Sequence, residues 1–462
     1  MSSFKSWRRA PENFLSAQTL EDIQRAGFDA QRRELVAKAF LAATGSAAMV
    51  LGKSAWGASV AQEVLPAGAR TTVGEDDPHI LQLPPHTTHL GNPVAMRGYG
   101  LPSQYEGATL RRESPGLTKV RESSVAFTPL QNLFGIITPS GLHFERHHSG
   151  WSDIDPKHHR LMVHGLVKKP KVYTLDDLMR LPSVSRIHFL ECGANTSMEW
   201  ASPAVPTVQY THGMLSCSEF TGVPLSVLLD DCGADLSQAQ AVLAEGADGS
   251  SLTRSIPMDH ALDDVLVAWG MNGEMLRPEN GYPLRLVVPG VQGVSWVKWL
   301  RRLKLGDQKF ATRDESIHYI DALPNGLYRQ YSGIQECKSV ITTPSGGQRL
   351  IEHGFYNITG LAWSGRGKIK RVDVSVDGGR NWQTAALQEP VLSKCLTRFN
   401  LPWRWNGERC ILQSRAIDET GYVQPTYAAL RAVRGSQSVY HNNAIQSWRL
   451  DATGEVLNVQ VD

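Results

Sequence analysis

The sequence predicts an α+β protein in which a mixed α/β domain is followed by an immunoglobulin-like β-sandwich. Strand-like runs alternate with short helices from about residue 125 to residue 320, a pattern typical of a mixed domain. After about Gly333 the strands are short, regularly spaced and separated by scarcely any helix. Residues 370–376 carry valine at every second position, and Asp377-Gly378-Gly379 then indicates a hairpin turn.

Composition and charge narrow the class of protein. A chain of 462 residues is too long for one ordinary domain, and 41% hydrophobic with 20% charged residues is typical of a soluble globular protein. The net charge of +2 gives no reason to expect nucleic acid or an anionic membrane as a partner. The six cysteines include no Cys-x-x-Cys pair, which disfavours zinc ribbons and iron–sulfur clusters, and no Cys-x-x-Cys-His, so no haem in this chain is expected.

The N-terminus predicts an export signal. About thirty polar residues precede Arg32-Arg33-Glu34-Leu35-Val36, and a small-residue apolar run follows from Ala37 to Leu51. Ser59-Val60-Ala61 then offers a small-x-small cleavage site. The run is too short to span a bilayer, so we predict a twin-arginine signal over 1–61, a periplasmic protein and no membrane span. The alternative is an amphipathic N-terminal helix of a cytosolic protein.

Local signals place the remaining elements in order. Residues 62–124 are rich in Pro, Gly and Thr and are predicted to form an extended arm and linker. In the mixed domain, over 125–332, Thr174 caps a helix at 175–181, and Pro224 begins a second helix at 225–231. Its predicted strands are 160–165, 186–191, 241–243, 265–269, 284–288 and 297–305, and 134–142 is predicted to be a strand and turn. Those of the sandwich, over 333–435, are 356–362, 370–376, 410–418 and 428–433, and residues 436–462 are predicted to be a docking tail.

Cys192 is the first candidate for chemistry. The apolar strand Arg186–Glu191 stops abruptly at a small-residue loop that begins with this cysteine. A thiol fixed at a strand end can act as a nucleophile or as a soft ligand for a metal. The alternative is that Cys192 is a buried small hydrophobic residue.

Two loops offer positive charge. Residues 143–150 contain one arginine and three histidines, so Arg146 with one histidine can converge on an anion; the alternative is a solvated polar loop. Residues 289–294 form a glycine loop flanked by Arg285 and Lys298, which can offer backbone N–H groups and two cations to a phosphate. A lone glycine loop is a weak signal, and the chain has no dinucleotide fingerprint.

Several motifs in order resemble those of the sulfite oxidase family of molybdenum enzymes over roughly 125–435. They are Phe144-Glu145-Arg146-His147-His148, Glu191-Cys192-Gly193-Ala194-Asn195, Met271-Asn272-Gly273-Glu274, Asn280-Gly281-Tyr282-Pro283-Leu284-Arg285, Val288-Pro289-Gly290, Val297-Lys298-Trp299-Leu300 and the stretch from Arg366 to Trp382. Within the family, residues 138–148 are most similar to the branch of molybdenum subunits of bacterial sulfane dehydrogenases.

The resemblance implies a molybdenum–molybdopterin cofactor to which the protein adds one thiolate, from Cys192. It assigns Arg146 to an anionic sulfur substrate, Tyr319 to a hydrogen bond with a metal oxygen or the substrate, and Arg366 to a reach over the substrate pocket from the sandwich domain. The implied cofactor contacts are Phe144, Arg146, His148, Cys192, Asp248, Asn280, Arg285, Ser295 and Lys298. One departure is that many relatives have glycine where this chain has Ala194, which would be strained if that position needs a positive φ.

The resemblance implies a periplasmic enzyme that oxidises carrier-bound sulfane sulfur during thiosulfate oxidation, with oxygen from water. The alternatives are a sulfite dehydrogenase acting on free sulfite, and a cofactor-free scaffold subunit. The expected partners are a separate c-type cytochrome, a sulfur-carrier protein, and a second copy of the chain bound through the sandwich domain. The tail, with Tyr440, His441 and Trp448, is expected either to contact the cytochrome or to pack on its own domain.

Overall fold

The computed structural model describes residues 99–114, 120–330, 333–435 and 437–461. The predicted signal over 1–61 and the arm as far as residue 98 lie outside the described residues. From Gly100 onward the described residues form one compact unit. No helix among them has the length and apolar character needed to cross a membrane.

The fold is mixed, as predicted. The strands of the first domain are β1 Arg112–Glu113, β2 Val125–Phe127, β3 Glu145–Arg146, β4 Leu161–Gly165, β5 Lys171–Tyr173, β6 Val184–Glu191, β7 Leu215–Pro224, β8 Ala241–Gly246, β9 Thr253–Pro257, β10 Leu266–Met271, β11 Glu274–Met275, β12 Arg285–Val287, β13 Leu300–Gly306, β14 Ile320–Ala322 and β15 Tyr328–Gln330. Its helices are α1 Leu175–Met179, α2 Val208–His212, α3 Leu225–Cys232, α4 Met258–Ala261 and α5 Arg313–Ile317. The second domain contains β16 Lys338–Thr343, β17 Gly354–Trp363, β18 Ile369–Ser375, β19 Gln383–Thr384, β20 Ala386–Leu387, β21 Thr397–Trp405, β22 Cys410–Asp418, helix α6 Tyr427–Arg434, β23 Ser447–Leu450 and β24 Val456–Val459.

Two five-stranded sheets build the first domain. One has the order β11-β10-β7-β6, with β12 also paired to β10, and the other has the order β5-β4-β13-β8-β9. One large cluster of buried apolar side chains contains residues from both sheets. Strand β6 is antiparallel to β7 along its whole length and ends at Glu191. Cys192 is therefore the first residue after the end of a rigid strand, as predicted.

The capping predictions for two helices agree with the structure. Thr174 and Asp177 form a reciprocal capping box at the start of α1. Helix α3 begins directly after Pro224, as predicted, and it ends at Gly233, whose φ of 64° is the left-handed conformation that glycine adopts without strain.

The second domain consists of two antiparallel sheets that share one core. Their strand orders are β16-β17-β21-β20 and β19-β18-β22-β23-β24. A single cluster of buried side chains, including Trp363, Phe399 and Trp448, contains residues from both sheets. The alternating run predicted at 370–376 is strand β18.

Four sequence predictions differ from the structure. The segment 428–433 is not a strand but part of helix α6, because Tyr427, Leu430 and Arg434 are buried at helical spacing and Thr426 caps the first turn. The segment 134–142 is not a strand either: after a positive φ at Gly135 it forms a 3-10 turn at Ser140–Leu142.

The two domain boundaries also move. The end of the predicted arm belongs to the first domain, because β1 pairs with β2. The predicted tail packs on its own domain, which was one of the two alternatives, and extends that domain beyond residue 435, because β23 pairs with β22 and places Trp448 in the core.

Candidate active site

One cavity, with about 710 Å³ of empty volume, collects most of the predicted site residues. It lies where β3, the end of β6, and the loops after β8 and β12 meet. Nine of the predicted residues line it, namely Phe144, Arg146, His148, Cys192, Asp248, Asn280, Arg285, Lys298 and Tyr319.

Cys192 forms part of the cavity wall. Only 8% of the residue is exposed, and its backbone N–H donates to the carbonyl of Met214 over 3.0 Å. Burial raises the pKa of the thiol, although a hydrogen bond from the Ala194 backbone lowers it. Without a positive partner the thiol therefore stays protonated, whereas a metal ion would replace the proton.

The loop after Cys192 has little spare room. A Cβ on Gly193 would lie 2.5 Å from Oε1 of Gln292, so a side chain cannot be added there without a shift. The strain considered for Ala194 is absent, because the non-glycine residue with positive φ in this loop is Thr196, at 65°. The departure from the usual family pattern at Ala194 is therefore accommodated without a backbone penalty.

A buried ion pair holds the end of β6. Oε1 of Glu191 lies 3.0 Å from Nζ of Lys338, and each side chain is 3% exposed. The second oxygen of Glu191 accepts a hydrogen bond of 2.8 Å from Nε1 of Trp363. Lys338 and Trp363 come from the second domain, so both domains position the strand that ends at Cys192. Sequence reasoning missed this contact, because neither residue lies in a recognisable motif.

The histidine and arginine loop separates into three roles. Arg146 and His148 line the cavity, and burial together with the charge of Arg146 lowers the pKa of His148 to about 4. His147 lies between Glu145, 2.9 Å from Nε2, and Lys298, 2.8 Å from Nδ1. His143 is buried, and its pKa is lowered to about 3 by that burial. The histidines are thus neutral at pH 7, and the permanent charge of the loop is that of Arg146.

Two further cations, the buried Arg285 and the half-buried Lys298, have no neutralising carboxylate among the described residues. Arg285 donates to the carbonyls of Asn280 and Trp296 over 3.0 and 3.3 Å, and burial lowers its pKa to about 9. Lys298 donates to the carbonyls of Arg146 and Glu279 over 3.3 and 3.1 Å, and burial together with Arg285 lowers its pKa to about 7. Among the described residues neither cation forms an ion pair with an acid. Buried charge of one sign is costly, so the pair is suited to a bound anion.

Asp248 and Asn280 add polar groups to the same wall. Oδ2 of Asp248 accepts from Ser149 over 3.1 Å and also from Ser250. Among the described residues, Oδ1 of Asn280 and Nε of Arg285 are buried and have no hydrogen-bond partner. Such buried unpaired atoms indicate that a polar ligand completes the site.

Tyr319 has a strained backbone. Its φ of 55° is rare for a bulky side chain, and Trp299, which also lines the cavity, has a φ of 51°. Burial raises the pKa of Tyr319 above its usual value, so the hydroxyl remains a hydrogen-bond donor at neutral pH. Two groups that sequence reasoning missed flank its ring: the Arg254 guanidinium at 5.0 Å and the Tyr440 ring at 4.8 Å.

Two predicted residues do not line the cavity. Ser295 is buried in the 3-10 turn Gly293–Ser295, whose other two residues do line it. Arg366 does not reach over the cavity, which corrects the prediction: it lies in the β17–β18 connection, and its Nη2 is 3.3 Å from Oε1 of Glu336. Arg366 lines a separate cavity together with Lys394 and His260.

Family models match both domains. The model described as oxidoreductase molybdopterin binding domain matches residues 148–313, and the model described as Mo-co oxidoreductase dimerisation domain matches residues 333–448. The chain belongs to the sulfite oxidase family of molybdenum enzymes. Its cofactor is therefore molybdenum bound to molybdopterin, and it is an oxidoreductase.

Individual relatives agree with the family. The chain is 32% identical to mitochondrial sulfite oxidase of Mus musculus over 68% of this chain and 62% of the relative, and 30% identical to the NADPH nitrate reductase of Phytophthora infestans over 60% and 34%. It thus spans less than two thirds of the length of these relatives. A crystal structure of the sulfane dehydrogenase SoxCD from Paracoccus pantotrophus is 48% identical, with a TM-score of 0.82, over 84% of this chain and all of that one.

The residues of the cavity fit the molybdenum cofactor of this family. The uncompensated Arg285 and Lys298 suit its phosphate group, and the unpaired atoms of Asn280 and Arg285 suit a polar ring system. Cys192 offers the single soft donor that the metal would take from the protein.

Proposed function

We propose that this protein is a periplasmic sulfane dehydrogenase, which oxidises reduced sulfur held on a carrier protein and passes the electrons to a c-type cytochrome. The observation that carries the proposal is the cavity that brings Cys192, Arg146 and Tyr319 together beside a buried cationic pocket. The 48% identity to the solved sulfane dehydrogenase, over the whole of the matched chain, supports this substrate class.

Each side chain has a role that follows from its surroundings. Cys192 would provide the thiolate to the metal, and Arg285 and Lys298 would hold the phosphate, with Asp248 and His148 beside the pterin. When bound, the cofactor supplies a two-electron redox centre and activates the oxygen that is transferred from water.

The protein's own residues bind and orient the substrate. Arg146 carries the permanent charge of the cavity loop, so it attracts an anionic sulfur group by charge-assisted hydrogen bonds. Tyr319 keeps its proton and can donate a hydrogen bond to the anion or to the oxygen that it gains. The walls formed by Phe144, Trp296 and Trp299 limit the access of water to this region.

The reaction is balanced for each two-electron step. The terminal sulfur gains one oxygen atom from water, R–S–S⁻ + H₂O → R–S–SO⁻ + 2H⁺ + 2e⁻, and the oxidant is the c-type cytochrome. The chain itself has no haem-attachment motif, so a separate cytochrome subunit is proposed. The proposed export signal would place both partners outside the cytoplasm.

A second candidate is oxidation of free sulfite by the same groups, SO₃²⁻ + H₂O → SO₄²⁻ + 2H⁺ + 2e⁻. The 32% identity to mitochondrial sulfite oxidases favours this possibility. The two substrates share the anionic sulfur that Arg146 would bind, and they differ in size and in whether a carrier protein must dock.

We also propose that the second domain is an immunoglobulin-like sandwich that pairs two copies of the chain. Its strand orders, β16-β17-β21-β20 and β19-β18-β22-β23-β24, follow the ABED and CFG pattern with one strand added at each edge of the second sheet. The match of residues 333–448 to a dimerisation domain supports the pairing.

The test compares substrates and a ligand variant. Protein purified with its cytochrome should reduce haem when given a persulfidated carrier protein, and more slowly or not at all with free sulfite. Faster turnover of free sulfite would favour the second candidate. Cys192→Ser should abolish turnover with either substrate because serine is a poor donor to the metal, whereas Cys410→Ser, far from the cavity, should not. Wild-type activity of Cys192→Ser would overturn the assignment.

A further inference from the structure

The segment 437–446 of the dimerisation domain crosses to the candidate active site. The backbone N–H of His441 donates to the carbonyl of Gly193 over 2.7 Å, directly beside Cys192. The carbonyl of Asn442 accepts from the hydroxyl of Thr196 over 2.6 Å. The Tyr440 ring also packs on this loop, 3.7 Å from the position that a Cβ on Gly193 would take. The C-terminal segment thus forms part of the environment of the proposed metal ligand.

Tyr440 contacts Tyr319 in two ways. The two rings are stacked at a tilt of 31°, with their centroids 4.8 Å apart. The backbone of Tyr319 also lies close enough to the Tyr440 hydroxyl to lower the pKa of Tyr440, although burial has the larger effect and raises this pKa. A ring contact and a backbone contact together restrain both the side chain and the main chain of Tyr319.

A buried acid fixes the C-terminal segment at the same place. Asp321, two residues after Tyr319, accepts from Nη2 of Arg434 and from the backbone N–H of Val439, each over 2.8 Å. The same Nη2 of Arg434 donates to the carbonyl of Tyr440 over 3.2 Å. The side chains of Asp321 and Arg434 are 0% and 3% exposed. A buried pair with this many hydrogen bonds fixes one geometry, so Tyr440 is held at a defined distance from Tyr319.

The restraint matters because Tyr319 is strained. A left-handed backbone at a bulky residue persists only where the surrounding structure imposes it. The Tyr319 ring contacts Arg254, which is 1% exposed, and the ring of Tyr440. Removing Tyr440 would remove one of these two contacts and leave the backbone free to relax.

We infer that Tyr440 is a positioning residue, which holds the strained Tyr319 in the geometry that points its hydroxyl into the cavity, and that Asp321 anchors it there. The inference rests on the proposed function in one respect only, namely that the Tyr319 hydroxyl acts on the substrate. Tyr440 itself acts through Tyr319, so the dimerisation domain contributes to the site by fixing its geometry.

The first test needs no cofactor. Amide hydrogen exchange of the Tyr319 backbone should rise about tenfold or more in Tyr440→Leu, which loses both contacts, and should rise to a smaller extent in Tyr440→Phe, which keeps the ring. Tyr427→Phe is the matched control, because this buried tyrosine bonds to the carbonyl of Trp200, away from Tyr319. Exchange at Tyr319 that is unchanged in Tyr440→Leu would overturn the inference.

The second test is a double-mutant cycle on the loaded enzyme. Tyr440→Leu should lower kcat about tenfold, Tyr440→Phe should restore most of it, and Tyr440→Leu should add no further loss in a Tyr319→Phe background. Independent, additive losses would overturn the inference, since they would mean that Tyr440 acts on the fold or the substrate directly. If Tyr319→Phe alone keeps wild-type kcat while the exchange result holds, the proposed role of Tyr319 fails and its positioning by Tyr440 stands.

Discussion

At the scale of single residues, uncompensated positive charge is the property that distinguishes the cavity. Among the described residues Arg285 and Lys298 have only neutral hydrogen-bond partners, which are backbone carbonyls and, for Lys298, the His147 ring, and Arg146 adds a third cation to the lining of the cavity. An anionic cofactor and an anionic substrate each satisfy part of this charge. By the proposed function, Arg285 and Lys298 bind the cofactor and Arg146 binds the substrate.

The first prediction compares Arg146, which lines the cavity, with Arg366, which the sequence also assigned to the substrate pocket but which lies outside the cavity. Arg146→Gln should raise KM for an anionic substrate by about ten- to a hundredfold, because a charge-assisted hydrogen bond contributes about 1.5–3 kcal/mol. Arg366→Gln is the control and should leave KM unchanged, because Arg366 pairs with Glu336 outside the cavity. Steady-state kinetics measure both, and an equal rise in KM for the two variants would contradict the placement of Arg366.

The second prediction uses the low pKa of Lys298, which is about 7. Above pH 7 the free lysine is neutral, and a bound anion favours the charged form, so binding must take up a proton there. Inorganic phosphate should therefore bind the cofactor-free protein with proton uptake at pH 8, and its affinity should fall as the pH rises above 7. Calorimetry in two buffers of different ionisation enthalpy measures the uptake. Lys298→Arg, which stays charged, should bind without it, and wild-type binding without uptake would contradict the prediction.

At the scale of elements, sequence patterns were reliable where the environment is local. The apolar run before Cys192 and the valine alternation of β18 each predicted a strand correctly. The capping residue Thr174 correctly marked the start of a helix. Helix α6 was missed because its apolar run resembles a strand in sequence. What identifies it as a helix is the buried face that packs on the first domain, and this face is visible only in the structure. The motifs placed Cys192 and Arg285 at the site, whereas Tyr440 and Lys338 reach it by tertiary contacts that no local pattern records.

The third prediction tests whether the C-terminal strands belong to the core. Trp448 on β23 is 0% exposed, and its Nε1 donates to the carbonyl of Ile341 over 3.1 Å. Trp448→Ala should lower the free energy of unfolding by about 3–5 kcal/mol, the usual cost of deleting a buried aromatic ring. Trp151→Ala, at a site that is 57% exposed, should lower it by less than about 0.5 kcal/mol. Denaturant titration compares them, and equal effects would contradict the structure.

At the scale of the whole molecule, the dimerisation domain joins two functions. It belongs to a family of domains that pair subunits, and it also supplies Lys338, Trp363 and Tyr440 to the surroundings of Cys192. The relative position of the two domains is therefore part of the geometry of the site.

The fourth prediction concerns assembly. In sedimentation equilibrium at micromolar concentration the protein should have about twice the mass of one chain, which is 50.9 kDa before any signal is removed. Residues 333–435 are the part of the chain predicted to carry the interface, so a single substitution in the cavity, such as Arg146→Gln, should leave the mass unchanged. A fully active monomer would contradict the prediction.

The contacts made by residues 437–459 have a consequence for how the protein loses its cofactor. These residues supply two strands of a sheet, the hydrogen bond to Gly193 and the ring that packs on Tyr319. Displacing them would break contacts beside Cys192 and would expose Trp448 of the domain core in the same step. We therefore expect cofactor release and the melting of the second domain to coincide on heating.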